Sequence, residues 1–213
     1  MTAPAPLETK RHTGQTVALN SGDHMDREEF ERRYSCRPDI KKAELIAGVV
    51  YVASPVRTFE HADPHALLVT ILGAYRIVTP GVLLSDNGTY RCPDGSTVQP
   101  DVTLRYSTAH GGTSRLDREH YLAGVPELCA EVAGSSKGYD LFEKKALYER
   151  LGVREYIVWQ TEDERIDWWV LRGGAYLALP ADEHGKIASE VFPGLALDLP
   201  ALLALARESE PED

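Results

Sequence analysis

Apolar residues recur along this chain at two different spacings, and each spacing predicts a different kind of element. Residues 21–36 carry a short helical pattern. Residues 43–55 then read AELIAGVVYVASP, which is typical of two short strands joined by a turn at Ala47-Gly48. Residues 63–78 read DPHALLVTILGAYRIV, a run with the length and spacing of an apolar helix. The first part of the chain therefore predicts a helix, a strand pair and a second helix.

Strand patterns dominate the rest of the chain. Residues 96–106 carry apolar side chains among polar ones, and residues 127–133 form a short apolar run. A helical pattern covers residues 139–151. Four strand patterns and a final helix follow, at residues 154–160, 165–172, 175–180, 186–192 and 199–208. Helices and strands alternate without an internal repeat, so we expect a mixed α/β fold around a central sheet.

Length and composition place these elements in one globular domain. The 213 residues are 43% hydrophobic and 26% charged, the balance of an ordinary protein with a packed core. Residues 1–20, rich in Pro and Thr, and the acidic residues 208–213 are predicted to be disordered. Residues 21–207 remain as a single predicted domain.

Charge and cysteine content limit the class of function and the compartment. A formal net charge of −10 argues against a protein that coats nucleic acid through a broad basic surface, although a local basic groove is compatible with it. The 3 cysteines are far apart and form no CxxC pair, which argues against a disulfide framework or a zinc site. No apolar run has the length of a signal peptide or a membrane span. We therefore expect a cytoplasmic protein with no membrane partner.

Two acids stand inside strand patterns that are otherwise apolar. They are Asp101 in VQPDVTL and Glu131 in LCAEVAG. Burial of a carboxylate is costly unless it is paired, exposed or bound to a cation. Taken singly, Asp101 could end a strand and Glu131 could face solvent on the alternate pleat. Taken together, the two acids indicate a site of oxygen ligands suited to Mg²⁺ or Mn²⁺.

The helix at residues 139–151 adds a lysine to these acids. At helical spacing, Lys144 falls within the apolar arc, whereas Lys145 lies at its margin. Lys144 could therefore reach a site at the strand end, where it would orient water or neutralise phosphate charge. It could equally pair with Asp140, four residues earlier, and extend to the surface.

Several short motifs, in their order and spacing, resemble one family of proteins. The motifs are VQPDV, PELCAEVAGSS, the spacing of Asp140, Lys144 and Tyr148, LGVREYIV, AELIAGVVYVASP with the later His65, and FPGLALDLPALL. They are similar to the putative restriction endonuclease family, common in cyanobacteria and actinobacteria, within the PD-(D/E)xK nuclease superfamily. The resemblance covers roughly residues 25–205, nearly the whole chain.

The resemblance implies a fold and a set of site residues. The fold would be a restriction-endonuclease-like mixed β-sheet core flanked by helices, with additional antiparallel strands. Asp101 and Glu131 match the family's metal-binding acids, with the backbone carbonyl of Val132 as a further ligand. The superfamily's usual lysine position is occupied here by Ala133, and Lys144 matches the family's alternative position on the following helix.

The activity implied is hydrolysis of DNA phosphodiester bonds with Mg²⁺ or Mn²⁺, leaving a 5′-phosphate and a 3′-hydroxyl. The superfamily also implies a possible homodimer. Two alternatives stay open: a non-catalytic regulatory or binding protein on the same fold, and a metal-dependent hydrolase of small phosphoesters.

Four further residues match the family or stand near the motifs. Gln99 would help to arrange the site. Glu44 would extend the metal site or be an exposed or structural acid, and His65 would join the site or be a surface or packing residue. Lys137 would contact phosphate or be a solvated charge. The tryptophans are more typical of core residues than of base-stacking residues; they are Trp159, Trp168 and Trp169.

Overall fold

The computed structural model describes residues 17–54, 57–134 and 138–208 of the chain. Within these ranges the helices are α1 (Arg27–Ser35), α2 (Asp63–Val78), α3 (Lys145–Leu151) and α4 (Leu199–Arg207). The strands are β1 (Ala43–Ile46), β2 (Val49–Val52), β3 (Val82–Asp86), β4 (Tyr90–Arg91), β5 (Thr97–Val98), β6 (Val102–Tyr106), β7 (Arg115–Leu116), β8 (Leu122–Ala123), β9 (Leu128–Ala133), β10 (Glu155–Gln160), β11 (Arg165–Arg172), β12 (Ala175–Ala178), β13 (Lys186–Ala188) and β14 (Ala196–Asp198).

The strands form two large sheets instead of the one central sheet expected from the pattern. Sheet I has the order β2-β1-β5-β4-β8-β7, and sheet II has the order β12-β11-β10-β9-β6-β3. In sheet II, β9 and β10 are parallel and the other neighbours are antiparallel. Strands β13 and β14 pair separately. The predicted α/β class with additional antiparallel strands is confirmed.

Sheet II is buried on both faces. One face packs against α2 and α4, and the other packs against α3 and sheet I. Successive residues of β9 alternate between these faces, as the pleat requires. Ala130 and Val132 belong to the first core, whereas Cys129 and Ala133 belong to the second. Glu131 therefore points toward α3 and sheet I.

The strand predicted over residues 96–106 is divided between the two sheets. Its first part is β5 in sheet I, and its second part is β6 in sheet II. Pro100 has no backbone N–H to give to a ladder. The N–H groups on either side of it point at side chains, since that of Gln99 donates to Glu44 and that of Asp101 to Glu131. The break thus places Asp101 at the start of β6, where the two sheets meet.

Both α2 and α3 begin with a wider π-helical turn, at Thr58–Ala62 and Tyr139–Lys144. The helix expected at residues 139–151 is therefore continuous in the structure but changes pitch after Lys144. Such turns displace side chains relative to a regular α-helix and are frequent at functional sites. Both turns carry residues that contact the two strand acids.

Residues just before the predicted boundary at residue 20 pack against the folded domain. Leu19 is buried and packs against Phe30 of α1 and Leu45 of β1. Residues 1–16 and 209–213, which the sequence predicts to be disordered, lie outside the described residues, as does Lys137. Among the described helices, none is both long and apolar enough to cross a membrane.

Candidate active site between the two sheets

The register of sheet II brings the two strand acids together. Strands β6 and β9 are antiparallel, with Val102 opposite Ala130. Continuing this register by one residue places Asp101 opposite Glu131, on the same face of the sheet. Directly opposite residues of an antiparallel pair have Cβ atoms about 5 Å apart. Asp101 and Glu131 are thirty residues apart in sequence but are neighbours in the sheet.

Asp101 is buried and has a nitrogen donor on each carboxylate oxygen. Its Oδ1 lies 2.9 Å from Nζ of Lys42. Its Oδ2 accepts a hydrogen bond from the backbone N–H of Val132 at 2.8 Å and lies 3.2 Å from Nε2 of His61. Burial opposes ionisation of Asp101, but the His61 hydrogen bond and the Lys42 and Lys144 charges hold the pKa of its carboxyl well below the usual range. Asp101 is thus an ionised carboxylate.

Glu131 is equally buried but is less strongly biased toward its ionised form. Its Oε2 lies 2.9 Å from Nζ of Lys144, and its Oε1 accepts a hydrogen bond from the hydroxyl of Tyr148 at 3.0 Å. The backbone N–H of Asp101 approaches Oε2 at 3.4 Å. Burial raises the pKa of Glu131, and the nearby negative charges of Asp101 and Asp140 add to that rise.

Lys144 lies at the centre of a carboxylate cluster. Its Nζ is 2.9 Å from Glu131, 3.2 Å from Glu44 and 3.3 Å from Asp140, and its side chain is only 3% exposed. Burial opposes its charge, but the three carboxylates raise the pKa of Lys144 well above its ordinary value. The two alternatives for this lysine therefore hold together: it pairs with Asp140 and it reaches the strand acid, without extending to the surface.

Glu44 is a buried member of the cluster, so its interpretation as an exposed acid is wrong. It projects from β1 of sheet I, and its residue is 4% exposed. One oxygen contacts Lys144, and the other accepts the backbone N–H of Gln99 at 2.6 Å. Gln99 thus contacts the cluster through its backbone, while its side chain lines a cavity beside α1.

Two histidines reach Asp101 from the helix that follows sheet I's first hairpin. Nε2 of His65 lies 3.2 Å from the backbone carbonyl oxygen of Asp101 and 3.1 Å from Oδ1 of Asp86. Nε2 of His61 contacts the Asp101 carboxylate itself. The two rings are 5.7 Å apart, as expected for residues four positions apart on one helical face. The His65 ring therefore contacts the backbone of Asp101, and the His61 ring contacts the Asp101 carboxylate.

Two residues of the cluster were not found from the sequence. Lys42 immediately precedes β1, and the two-residue spacing to Glu44 puts both side chains on one face of the strand. His61 lies within the π-helical turn before α2. The spacing of Lys42 and Glu44, and that of His61 and His65, were the available signals, but neither identifies a partner in sheet II.

The cluster carries more negative than positive charge. Its carboxylates are Glu44, Asp101, Glu131 and Asp140, and its ammonium groups are Lys42 and Lys144. With all six groups charged, four negative and two positive charges leave a surplus of two. Burial raises the pKa of Asp140 as well as that of Glu131, and the charge of neighbouring carboxylates adds to both rises.

The chemistry of these donors fits a hard divalent cation. Carboxylate oxygens are the ligands that Mg²⁺ and Mn²⁺ prefer, and one such ion would balance the surplus charge. In the part of the chain that the structure describes, no three His, Cys, Asp or Glu side chains are arranged to hold a metal ion. Lys42 and Lys144 contact the oxygens of Asp101 and Glu131 that a metal ion would otherwise meet. Val132 contacts the Asp101 carboxylate through its own backbone N–H group.

Away from the cluster, Arg91 is held by acidic side chains. Arg91 binds three carboxylates, those of Glu31, Asp117 and Glu119. It lies between two surface cavities of about 720 and 460 Å³ beside α1. The tryptophans are core residues, as expected; they are Trp159, Trp168 and Trp169.

A helix-flanked mixed sheet that carries paired acids on adjoining strands and a lysine on the next helix defines a protein of the restriction-endonuclease-like class. The chain belongs to the Uma2 family, described as putative restriction endonucleases, whose model matches residues 27–200. The family resemblance noted in the sequence is thereby confirmed.

A solved structure supports the fold. The crystal structure of a putative nuclease belonging to DUF820, from Anabaena variabilis, is similar to this chain with a TM-score of 0.66. The similarity covers 85% of this chain and 99% of that one, at 10% sequence identity. At this identity the likeness shows the fold alone. No curated protein matches the chain in sequence.

Proposed function

We propose that this protein is a metal-dependent nuclease that hydrolyses phosphodiester bonds of DNA at the cluster around Asp101 and Glu131. The observation that carries the proposal is the convergence of four buried carboxylates from two sheets and one helix, with Asp101 and Glu131 side by side. Membership of a restriction-endonuclease family supports the same activity.

Asp101 and Glu131, with the backbone carbonyl of Val132, would hold Mg²⁺ or Mn²⁺. When bound, such an ion lowers the pKa of a water molecule and stabilises charge on the phosphate. Hydrolysis adds that water across one P–O bond and leaves a 5′-phosphate and a 3′-hydroxyl.

The other residues of the cluster keep the acids in place. Tyr148 donates to Glu131 and His61 contacts Asp101, so each acid retains one fixed oxygen. Glu44 and Asp140 hold Lys144 beside Glu131. Gln99 fixes Glu44 through its backbone, and His65 contacts the backbone of Asp101.

The metal site is tested by calorimetric titration with Mn²⁺. We expect the wild type to bind the ion and Asp101→Asn to lose most of that affinity, because a ligand carboxylate becomes a neutral amide. Asp39→Asn is the control, since Asp39 is an exposed acid paired with Arg37 outside the cluster. Equal binding by the wild type and Asp101→Asn would exclude the proposed ligands.

The reaction is tested with a panel of substrates in Mg²⁺ and in chelator. The panel contains supercoiled plasmid, single-stranded DNA, RNA and a chromogenic phosphodiester. Metal-dependent nicking or linearisation of the plasmid, abolished in Glu131→Gln, is the expected result. Hydrolysis of the small ester alone would instead assign a phosphoesterase. Metal binding without any hydrolysis would assign a regulatory or binding protein.

We also propose that the active form on duplex DNA is a homodimer. Two copies of the site would then face the two strands, and a groove between copies would combine weak basic patches from both. Sedimentation equilibrium at assay concentrations measures the state directly, and a monomer with full activity would contradict the dimer.

A further inference from the structure

Two lysines enter the cluster from different elements, and they differ in their access to solvent. Lys144 ends the π-helical turn before α3, and its side chain is 3% exposed. Lys42 precedes β1 at the margin of sheet I, and its side chain is 23% exposed. Of these two lysines in the described part of the chain, Lys42 combines contact with a proposed metal ligand and partial exposure to solvent.

Lys144 is enclosed by carboxylates. An ammonium group has three N–H donors and no acceptor. Nζ of Lys144 has three carboxylate partners within 3.3 Å, namely Glu131, Glu44 and Asp140. Within the described residues these carboxylates surround the ammonium group, and the Lys144 side chain is only 3% exposed.

Lys42 has the opposite arrangement. Its Nζ donates to Oδ1 of Asp101 at 2.9 Å, and the described residues supply no second hydrogen-bond partner. One donor of three is thus engaged, and the carboxylate of Asp101 fixes where the other two can point. A charged donor with unused hydrogens beside a buried acid is suited to a phosphate oxygen.

We infer that Lys42 is the lysine of this site that contacts the phosphate of the substrate, and that Lys144 is an internal counter-ion. The inference rests on the proposed function and reverses the assignment made from the sequence pattern. Lys42 donates to a non-bridging oxygen of the phosphodiester while Asp101 holds its ammonium group in position. Lys144 keeps Glu44, Glu131 and Asp140 together and does not touch the substrate.

The first test measures the accessibility of each lysine without metal and without turnover. The full chain is labelled at trace level with acetic anhydride, and the rate at each lysine is read by mass spectrometry, with and without a short DNA duplex. We expect Lys42 to react much faster than Lys144, and the duplex to protect Lys42. Lys41 is the matched control, because it is the adjacent lysine and is exposed. Equal rates at Lys42 and Lys144, or no protection of Lys42, would overturn the inference.

The second test separates binding from turnover in variants. Lys42→Met is expected to lose about 10²-fold in kcat, the usual cost of removing one charged or polar donor from a reacting oxygen. It should melt close to the wild type and retain Mn²⁺ binding. Lys42→Arg keeps the charge and should recover part of the activity, and Lys41→Met should be unchanged.

Lys144→Met distinguishes a counter-ion from a group that contacts the substrate. Loss of this ammonium group leaves three buried carboxylates without their shared partner, so this variant should melt well below the wild type. Lys144→Met that melts normally but loses kcat would overturn the inference.

The outcomes also separate the inference from the proposed function. Wild-type kcat in Lys42→Met overturns the inference and leaves the nuclease proposal standing. A wild type that hydrolyses no phosphodiester overturns the nuclease proposal, and the acylation experiment then decides the position of Lys42 alone.

Discussion

Glu131 shows how a carboxylate is kept inside this protein. The residue is 1% exposed, so protein donors must replace the water that it has lost. Lys144 supplies charge, and the hydroxyl of Tyr148 supplies a hydrogen bond at 3.0 Å. Tyr148 is itself fully buried, between the carboxylate and Tyr156. The hydroxyl thus orients a proposed metal ligand without contacting the metal.

Tyr148→Phe removes this donor and nothing else of the side chain. We expect a loss of about 1–3 kcal/mol in the free energy of unfolding, because a buried carboxyl group loses a hydrogen-bond partner. Mn²⁺ affinity should fall by about tenfold or more, as is usual when a partner of a ligand is removed. Denaturant unfolding and calorimetry measure the two effects.

Tyr176→Phe is the matched control for this prediction. The hydroxyl of Tyr176 donates to the backbone carbonyl of Val153 at 2.8 Å, in a buried position away from the cluster. This variant should lose some stability and bind Mn²⁺ like the wild type. A parallel loss of affinity in both variants would show a general effect of instability.

The sequence predicts the site residues that interrupt an apolar pattern. Asp101, Glu131 and Lys144 stand out because their neighbours are apolar, so the cost of burial itself marks them. Lys42 and His61 lie in polar surroundings, where a charged side chain is ordinary. Their contacts with Asp101 depend on how sheet I and the turn before α2 meet sheet II, which no local pattern contains.

At the scale of elements, a buried carboxylate outside the cluster, that of Glu155, joins β10 to the loop between β13 and β14. Oε1 of Glu155 accepts the backbone N–H groups of Glu190 and Val191 at 2.7 and 3.1 Å, and Oε2 accepts the hydroxyl of Ser189 at 2.7 Å. The strand predicted over residues 186–192 ends at Ala188 for this reason. The backbone N–H groups of Glu190 and Val191 donate to this carboxylate instead of to a neighbouring strand.

Glu155→Ala should therefore detach this loop. The backbone N–H groups of Glu190 and Val191 lose the oxygen that they share, so we expect a loss of about 1–3 kcal/mol in the free energy of unfolding. Glu190→Ala, which removes an exposed partner of Arg172, should change stability little. Chemical denaturation of the two variants makes the comparison, and equal stability would contradict the role of Glu155.

Comparison with the same variant should also reveal a pH dependence of stability. Burial raises the pKa of Glu155 above its ordinary value of 4.5. A carboxyl group whose pKa is raised in the folded state stabilises that state more when it is protonated. The stability that Glu155 contributes is therefore complete below pH 4.5 and is lost as pH rises through the raised pKa. The difference in stability between the wild type and Glu155→Ala should therefore be larger below pH 4.5 than at neutral pH.

At the scale of the whole molecule, the candidate site joins the two sheets. Lys42 immediately precedes β1 of sheet I, and Glu44 lies within that strand. Asp101 and Glu131 belong to sheet II. The local patterns predict most of the individual strands, but the division into two sheets depends on Pro100 and on backbone groups that bond to side chains. Pairing between distant strands is what the sequence could not supply.

Binding of a cation at this junction should stabilise the folded state. A ligand at 100 times its Kd adds about 2.7 kcal/mol. For a chain of this size such a gain corresponds to a rise of about 5–10 °C in Tm. Differential scanning calorimetry with Mn²⁺ should show this rise in the wild type and in Asp39→Asn, and little of it in Asp101→Asn. Sodium chloride at equal ionic strength is the control for screening, and a similar rise in Asp101→Asn would contradict the site.

The division of the cluster among distant segments also has a consequence for how the protein forms. Its residues come from the approach to β1, the start of β6, the middle of β9 and the turn before α3. Contacts between distant segments form late, because closing long loops costs entropy before any contact rewards it. A nascent or partly folded chain therefore holds scattered acids and lysines with no shared geometry. The capacity for chemistry at this junction arrives only with the finished fold, so a chain still emerging from the ribosome carries no assembled site.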